Sequence, residues 1–258
     1  MEIAKYLLPT FSVLRILALL LIGPVPQDLQ YHLFADQRRI WGIPNFLNVV
    51  TNLPFLFVGL WGLLAIKKAE EKQLKFIGST LFTGFLLLTF GSGYYHLWPN
   101  NETLVYDRIP IAVIILSFFA FIIYDRVDSK KGFTAFILLN LLGILSVIYW
   151  IGSEHIGRGD LRWYGMAQFF PLIAIPLVMF LYKSAFNPWK EILLIYLFFG
   201  LAKFTETFDK EIYHWLGTTI SGHSLKHLLM AAAGYMIVLL MRLRKNYSLR
   251  IKTAGSSH

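Results

Sequence analysis

Five polar side chains of this chain have the types and the spacing for metal chemistry. Ser92, His96 and Asp107 lie in LTFGSGYYHLWPNNETLVYDR, residues 88–108, between two long apolar runs. His223 and His227 lie in SGHSLKHLL, residues 221–229. Residues four apart share one face of a helix, so Ser92 stacks with His96, and His223 with His227. Two imidazoles at that spacing can hold one metal ion, as helical His-x-x-x-His pairs do in zinc proteins. A third histidine from a neighbouring helix completes a set of three nitrogen ligands and leaves a fourth position for water, the open form of a catalytic zinc site. The competing structural role is that of hydrogen-bonded packing histidines. Haem fits poorly, because two histidines on one helix face cannot take opposite axial positions. Retinal could attach at Lys203 or Lys226, but Lys226 lies inside the histidine pair and Lys203 has Glu206 three residues away as a partner.

The elements that carry these residues are apolar. Of the 258 residues, 56% are hydrophobic and 15% charged, against about 25% charged in a soluble domain. Mean hydropathy is +0.57. An all-α integral membrane protein follows. The net charge of +9 is spread over short loops with no long basic run, which excludes a nucleic-acid binder. The chain has no cysteine, so any transition metal must be held by nitrogen and oxygen. A membrane-spanning helix needs about 17–25 mostly apolar residues, and such runs occupy 7–24, 46–66, 76–98, 108–124, 133–152, 163–182, 191–208 and 222–243. The first could be read as a signal peptide after Lys5, but Arg15 in mid-run favours a membrane helix. Gly255–His258 looks like the stump of an expression tag, which removes His258 from consideration.

Basic residues orient the bundle. Fifteen fall on one set of alternate loops: Lys5; Lys67, Lys68, Lys72, Lys75; Arg126, Lys130, Lys131; Lys183, Lys190; and Arg242, Arg244, Lys245, Arg250, Lys252. Six fall on the other: Arg38, Arg39, Arg108, Arg158, Arg162 and Lys210. The positive-inside rule then puts both termini in the cytoplasm. Ser92, His96, Asp107, His223 and His227 all come out near the outer face, at one depth, although the loop count did not use them.

GSGYYH (91–96), Asp107 eleven residues beyond His96, and HSLKH (223–227) together resemble the CREST superfamily of membrane hydrolases. That group includes the alkaline ceramidases, the adiponectin-receptor-like proteins and the GPI-lipid-remodelling proteins. NFLNVVTNLPF (45–55) is similar to the first core helix of alkaline ceramidases, Asn-x-x-Ser-Asn-Leu-Pro-Phe, with Thr51 in place of the serine. The resemblance covers 45–243 and implies a seven-helix core. Around it stand an extra N-terminal membrane helix (1–25), an outer loop (26–45) and a cytoplasmic tail (244–258). It implies Zn2+ on His96, His223 and His227, with Ser92 and Asp107 acting on water and substrate. The implied reaction is hydrolysis of a lipid amide. The short loops and compact termini suggest a bacterial-type member in an inner membrane, where the loop charges turn the site toward the periplasm.

In that chemistry zinc lowers the pKa of water to about 7 and polarises the carbonyl. Asp107 is the expected general base, and Ser92 the expected hydrogen-bond donor to the substrate oxygen. One departure stands out. FADQRRIWGIPN (34–45) keeps Asp36 as its only carboxylate, and Asn45 replaces a family glutamate, so the oxygen-rich calcium site of animal alkaline ceramidases is not expected. The overlapping stretch PQDLQYHLFADQRR (26–39), with Asp28, His32 and Asp36, reads as a solvated loop in preference to a lid. Lys203, Glu206 and Asp209 are expected to pair with one another, Asn48 and Asn52 to join helices, and Asp160 and Arg162 to clamp a loop beside Tyr164 and Gln168. The rival functions are a zinc phospholipid esterase, a receptor-like protein with structural zinc, and a transporter, the last disfavoured by a site at one face instead of the midplane.

Overall fold

Between residues 46 and 255 every apolar segment is helical in the computed structural model, which describes residues 21–184 and 186–255. Residues 7–20 of the segment 7–24, with Arg15, and Lys5 before it lie outside the described residues. A 3-10 turn, Leu29–His32, precedes α1 (Phe46–Val50) and α2 (Leu53–Ile66). Then come α3 (Lys72–Leu97), α4 (Asn101–Arg126), α5 (Ser129–His155), α6 (Arg162–Leu181), α7 (Trp189–Thr207), α8 (Asp209–Trp215) and α9 (Gly222–Gly255). Among the described residues six helices are long and apolar enough to cross a membrane: Phe46–Ile66, α3, α4, α5, α6 and the Gly222–Tyr247 part of α9. The chain is therefore an all-helical membrane protein. Segment 191–208 is helical too, as α7, but Lys190, Glu191, Lys203 and Glu206 make it too polar to be counted with the six.

Helix ends differ from the hydropathy boundaries because polar residues start the helices. Among helix starts, the largest difference is at α4. Asn100 accepts from the Thr103 amide (2.8 Å), and the Thr103 hydroxyl accepts from the Asn100 amide (3.3 Å). This reciprocal cap begins the helix at Asn101 and puts Asp107 well inside it instead of at its outer tip. The run 46–66 is interrupted at Thr51 and Asn52. Pro54 has no amide hydrogen to give to the carbonyl four residues back, and the Asn52 side chain donates to Asn48 O (2.7 Å) across the break.

α4 lies at the centre, flanked by α3, α5 and α6, while α9 packs between α2 and α7. Phe82, Phe121, Ile122 and Leu240 are among the fully buried side chains of the core. The outward faces are just as apolar: Leu64, Phe76, Phe90, Leu142, Phe180 and Leu193 are all more than half exposed. A surface of that kind needs lipid to cover it. The two ends of the bundle are tied separately. Arg244 bonds Asp125 and lies 3.6 Å from Glu71, at the end with the many basic residues. At the opposite end Gln27 N donates to Glu154 (2.7 Å), and Ala35 N to Asp209 (2.8 Å).

Candidate metal centre

α3 presents Ser92 and His96, α4 presents Asp107, and the first turns of α9 present His223 and His227. All five are buried. The three histidines each offer a ring nitrogen, and these atoms lie within 4.8 Å of one another. His96 Nε2 stands 3.2 Å from His227 Nε2. Two ligands at zinc–nitrogen distance on a tetrahedral ion are spaced by roughly 3.3–3.4 Å, so the pair fits a shared ion. His227 is held in the tautomer this requires. The Thr51 hydroxyl donates to Leu47 O (2.6 Å), which leaves its oxygen to accept from His227 Nδ1–H (2.9 Å) and turns an unprotonated Nε2 toward His96. His96 Nδ1 is buried with no partner among the described residues. A packing network satisfies such groups, so the cluster is poorly explained as packing alone. His223 Nε2 accepts from Lys226 Nζ (3.1 Å). An ion that took this nitrogen would displace the ammonium onto Glu206, which already holds it at 3.0 Å.

The surroundings fix these rings. Phe34 packs its ring on two of them, with centroids 4.6 Å from His96 and 4.7 Å from His223. Asn45, in the left-handed region at φ 48, donates to His96 O (2.8 Å) and so satisfies a carbonyl in the last turn of α3. Asn48 accepts from Ser224 (2.7 Å), tying α1 to α9. Asp209 accepts the His223 amide (2.7 Å), placing a carboxylate at the positive N-terminus of α9. It does not pair with Lys203 or Glu206, which bond each other.

Residues 26–39 are mostly exposed, as a solvated loop would be, but the loop is anchored at a few buried positions. Phe34 and Asp36 are buried, and His32 bonds Tyr95 and Asn101, both at 2.9 Å. Asp36 takes Arg38 in a fork at 2.8 and 2.7 Å. Burial pushes its carboxyl up, but the Arg38 guanidinium and amide outweigh that and hold it below the usual range. Arg162 grips Asp160 in the same way, at 2.8 Å to each oxygen, as the expected clamp. Tyr164 and Gln168, expected beside that clamp, line a cavity.

That cavity, of about 250 Å³, runs into the bundle between α3, α4, α6, α7 and α9. Ser92, Asp107 and His227 stand on its wall together with Phe118, Ile175 and Ile237; His96 and His223 lie behind. Ser92 and Asp107 face this cavity together. Three contributors escaped the sequence reading. Thr51 entered only as a motif position, Phe34 only as an apolar loop residue, and Arg108 only as an outer-loop charge.

Two glycines let the helices meet at the site. A methyl group on Gly91 would lie 2.0 Å from Tyr106 O, and one on Gly222 would lie 2.0 Å from Thr205 O. Pro110 removes the helical donor to that Tyr106 carbonyl, so α3 packs against an otherwise open acceptor. Gly91→Ala and Gly222→Ala are each expected to lower Tm and metal content together, since each glycine precedes a site residue. Unchanged melting and metal in both variants would show that the helix approach is not needed.

Fold and site together define an integral membrane protein in which a buried histidine triad, able to hold a metal ion, borders an apolar cavity. Comparison with protein-family models, curated proteins and solved structures finds no match.

Proposed function

We propose that this protein is a zinc-dependent hydrolase that cleaves the amide bond of an N-acyl, ceramide-like lipid to a fatty acid and an amine, in the manner of the alkaline ceramidases of the CREST superfamily. The observation that carries the proposal is the histidine triad, one member of which shares an apolar cavity with Ser92 and Asp107. His96, His223 and His227 would hold the ion. When bound, it supplies an acidified water and polarisation of the carbonyl. Asp107 takes the proton of the attacking water and returns it to the leaving nitrogen, so that the amine departs neutral. Ser92 donates to the substrate oxygen as charge develops there. Phe34 keeps bulk water off the histidines, and the apolar depth of the cavity accommodates the acyl chain.

The same residues would cleave a phospholipid ester, and mass spectrometry decides between the two. Purified protein incubated with a mixed lipid pool should release fatty acid at the expense of N-acyl lipids. Release from phospholipids alone would make the protein an esterase, and no release from any lipid would leave the receptor-like reading with structural zinc. The proposal also includes a seven-helix core with an added N-terminal helix, in a bacterial inner membrane, with cytoplasmic termini and a periplasmic site. The basic residues at one end of the bundle support this orientation. A reporter fused to the C-terminus should be active only in the cytoplasm; activity in the periplasm alone would reverse the topology.

A further inference from the structure

Arg108 follows Asp107 on α4, lines the same cavity and is only 6% exposed. Its Nη2 donates to Gln27 Oε1 at 2.5 Å. Its Cζ lies 4.0 Å from the Trp150 ring centre and 4.8 Å from that of Tyr164. Nη1 is buried without a partner, and among the described residues no carboxylate stands within ion-pair distance of the guanidinium. The other cavity cations are occupied. Lys203 and Lys226 both bond Glu206. Three cations therefore face two carboxylates on this wall, a surplus of one positive charge, and Arg108 is the cation with no carboxylate in ion-pair contact. An unpaired charge at this depth is costly, and such residues mark ligand sites.

We infer that Arg108 binds a carboxylate on the amine side of the lipid, so that the substrate class is an N-acyl amino acid in preference to a neutral ceramide. The inference rests on the hydrolase reading for its scissile bond and on the Arg108 geometry for its charge. Arg108 and Asp107 line the same cavity, so an anion on Arg108 would share it with the amide that Asp107 serves. One carboxylate balances the one surplus charge and meets the guanidinium where it lines the cavity, in a charge-assisted hydrogen bond. The aromatic rings around the guanidinium hold it by cation–π attraction and keep it positioned when the site is empty of lipid.

The test separates binding from hydrolysis. Dodecyloxyacetate and dodecyloxyethanol have the same chain and no cleavable amide or ester, and differ in headgroup charge. Titration calorimetry in non-ionic detergent should show the carboxylate binding about tenfold or more tighter. Arg108→Gln should bring the two to equal affinity while leaving the alcohol unchanged, and Arg108→Lys should retain part of the preference. Equal affinities in the wild type overturn the inference without any variant. A preference that survives Arg108→Gln overturns it too, because the anion is then held elsewhere, as on a metal. A second arm compares hydrolysis of N-lauroylglycine with that of N-lauroylethanolamine, and kcat/KM should favour the former by a similar factor. If neither is cleaved while the binding preference stands, the hydrolase reading fails and the anion site survives. If both are cleaved equally, the site is wrong and the hydrolase stands.

Discussion

Alanine at both His223 and His227 is expected to take zinc in the purified protein from about one ion per chain to background. Both ligands project from the first turns of α9, and His96 alone on α3 cannot hold the ion. The structure gives a graded series. Thr51→Val keeps the size of the side chain but removes the oxygen that fixes the His227 tautomer at 2.9 Å. Loss of such a supporting partner weakens metal binding by about 10–100-fold, so Thr51→Val should fall between wild type and the double variant in a chelator competition. Elemental analysis of protein purified without added chelator reads the first effect directly. Full zinc occupancy in the double variant would remove these histidines as ligands.

Asp107→Asn is expected to keep the fold and most of the zinc while lowering turnover by on the order of 10²–10⁴. Asparagine is nearly isosteric, but its amide cannot accept a proton from water. Asp107 is not a member of the histidine group, so metal content and catalysis should separate in this variant. They should fall together in the histidine variants. A variant with matched zinc and full activity would assign the base to another residue, Glu206 being the nearest choice on the same cavity wall.

Much of the fold was legible because a membrane helix announces itself by a continuous apolar run, and seven such runs recur as helices, six of them long and apolar enough to span. Their ends were less legible. α4 starts at Asn101 through a cap made by Asn100 and Thr103, and hydropathy does not register a polar helical turn. The interruption at Thr51 and Asn52 could have been read from Pro54, whose missing donor disrupts the turn before it. In the site, i,i+4 spacing exposed the His223–His227 pair, and the loop charges put His96 at the same end. Phe34 carried no such signal, because its stacking on His96 and His223 joins residues far apart in sequence with no periodicity between them. The loop 26–39 reads as solvated because it is polar, and most of it is exposed, yet Asp36 is buried, satisfied by Arg38 in a fork that composition cannot show. Arg108 was misplaced for a related reason. Counting it as a loop charge overlooked the Trp150 and Tyr164 rings that allow a guanidinium to be buried.

The most direct measurement is fatty-acid release from an N-acyl lipid in detergent, with wild type and Asp107→Asn matched for zinc and the wild type also assayed after chelation. The expected result is release by the zinc-loaded wild type, loss of release on chelation with recovery on adding zinc, and no comparable release by the variant. Zinc-loaded wild type that releases no fatty acid from any amide or ester lipid would contradict the proposed hydrolase, whatever its metal content.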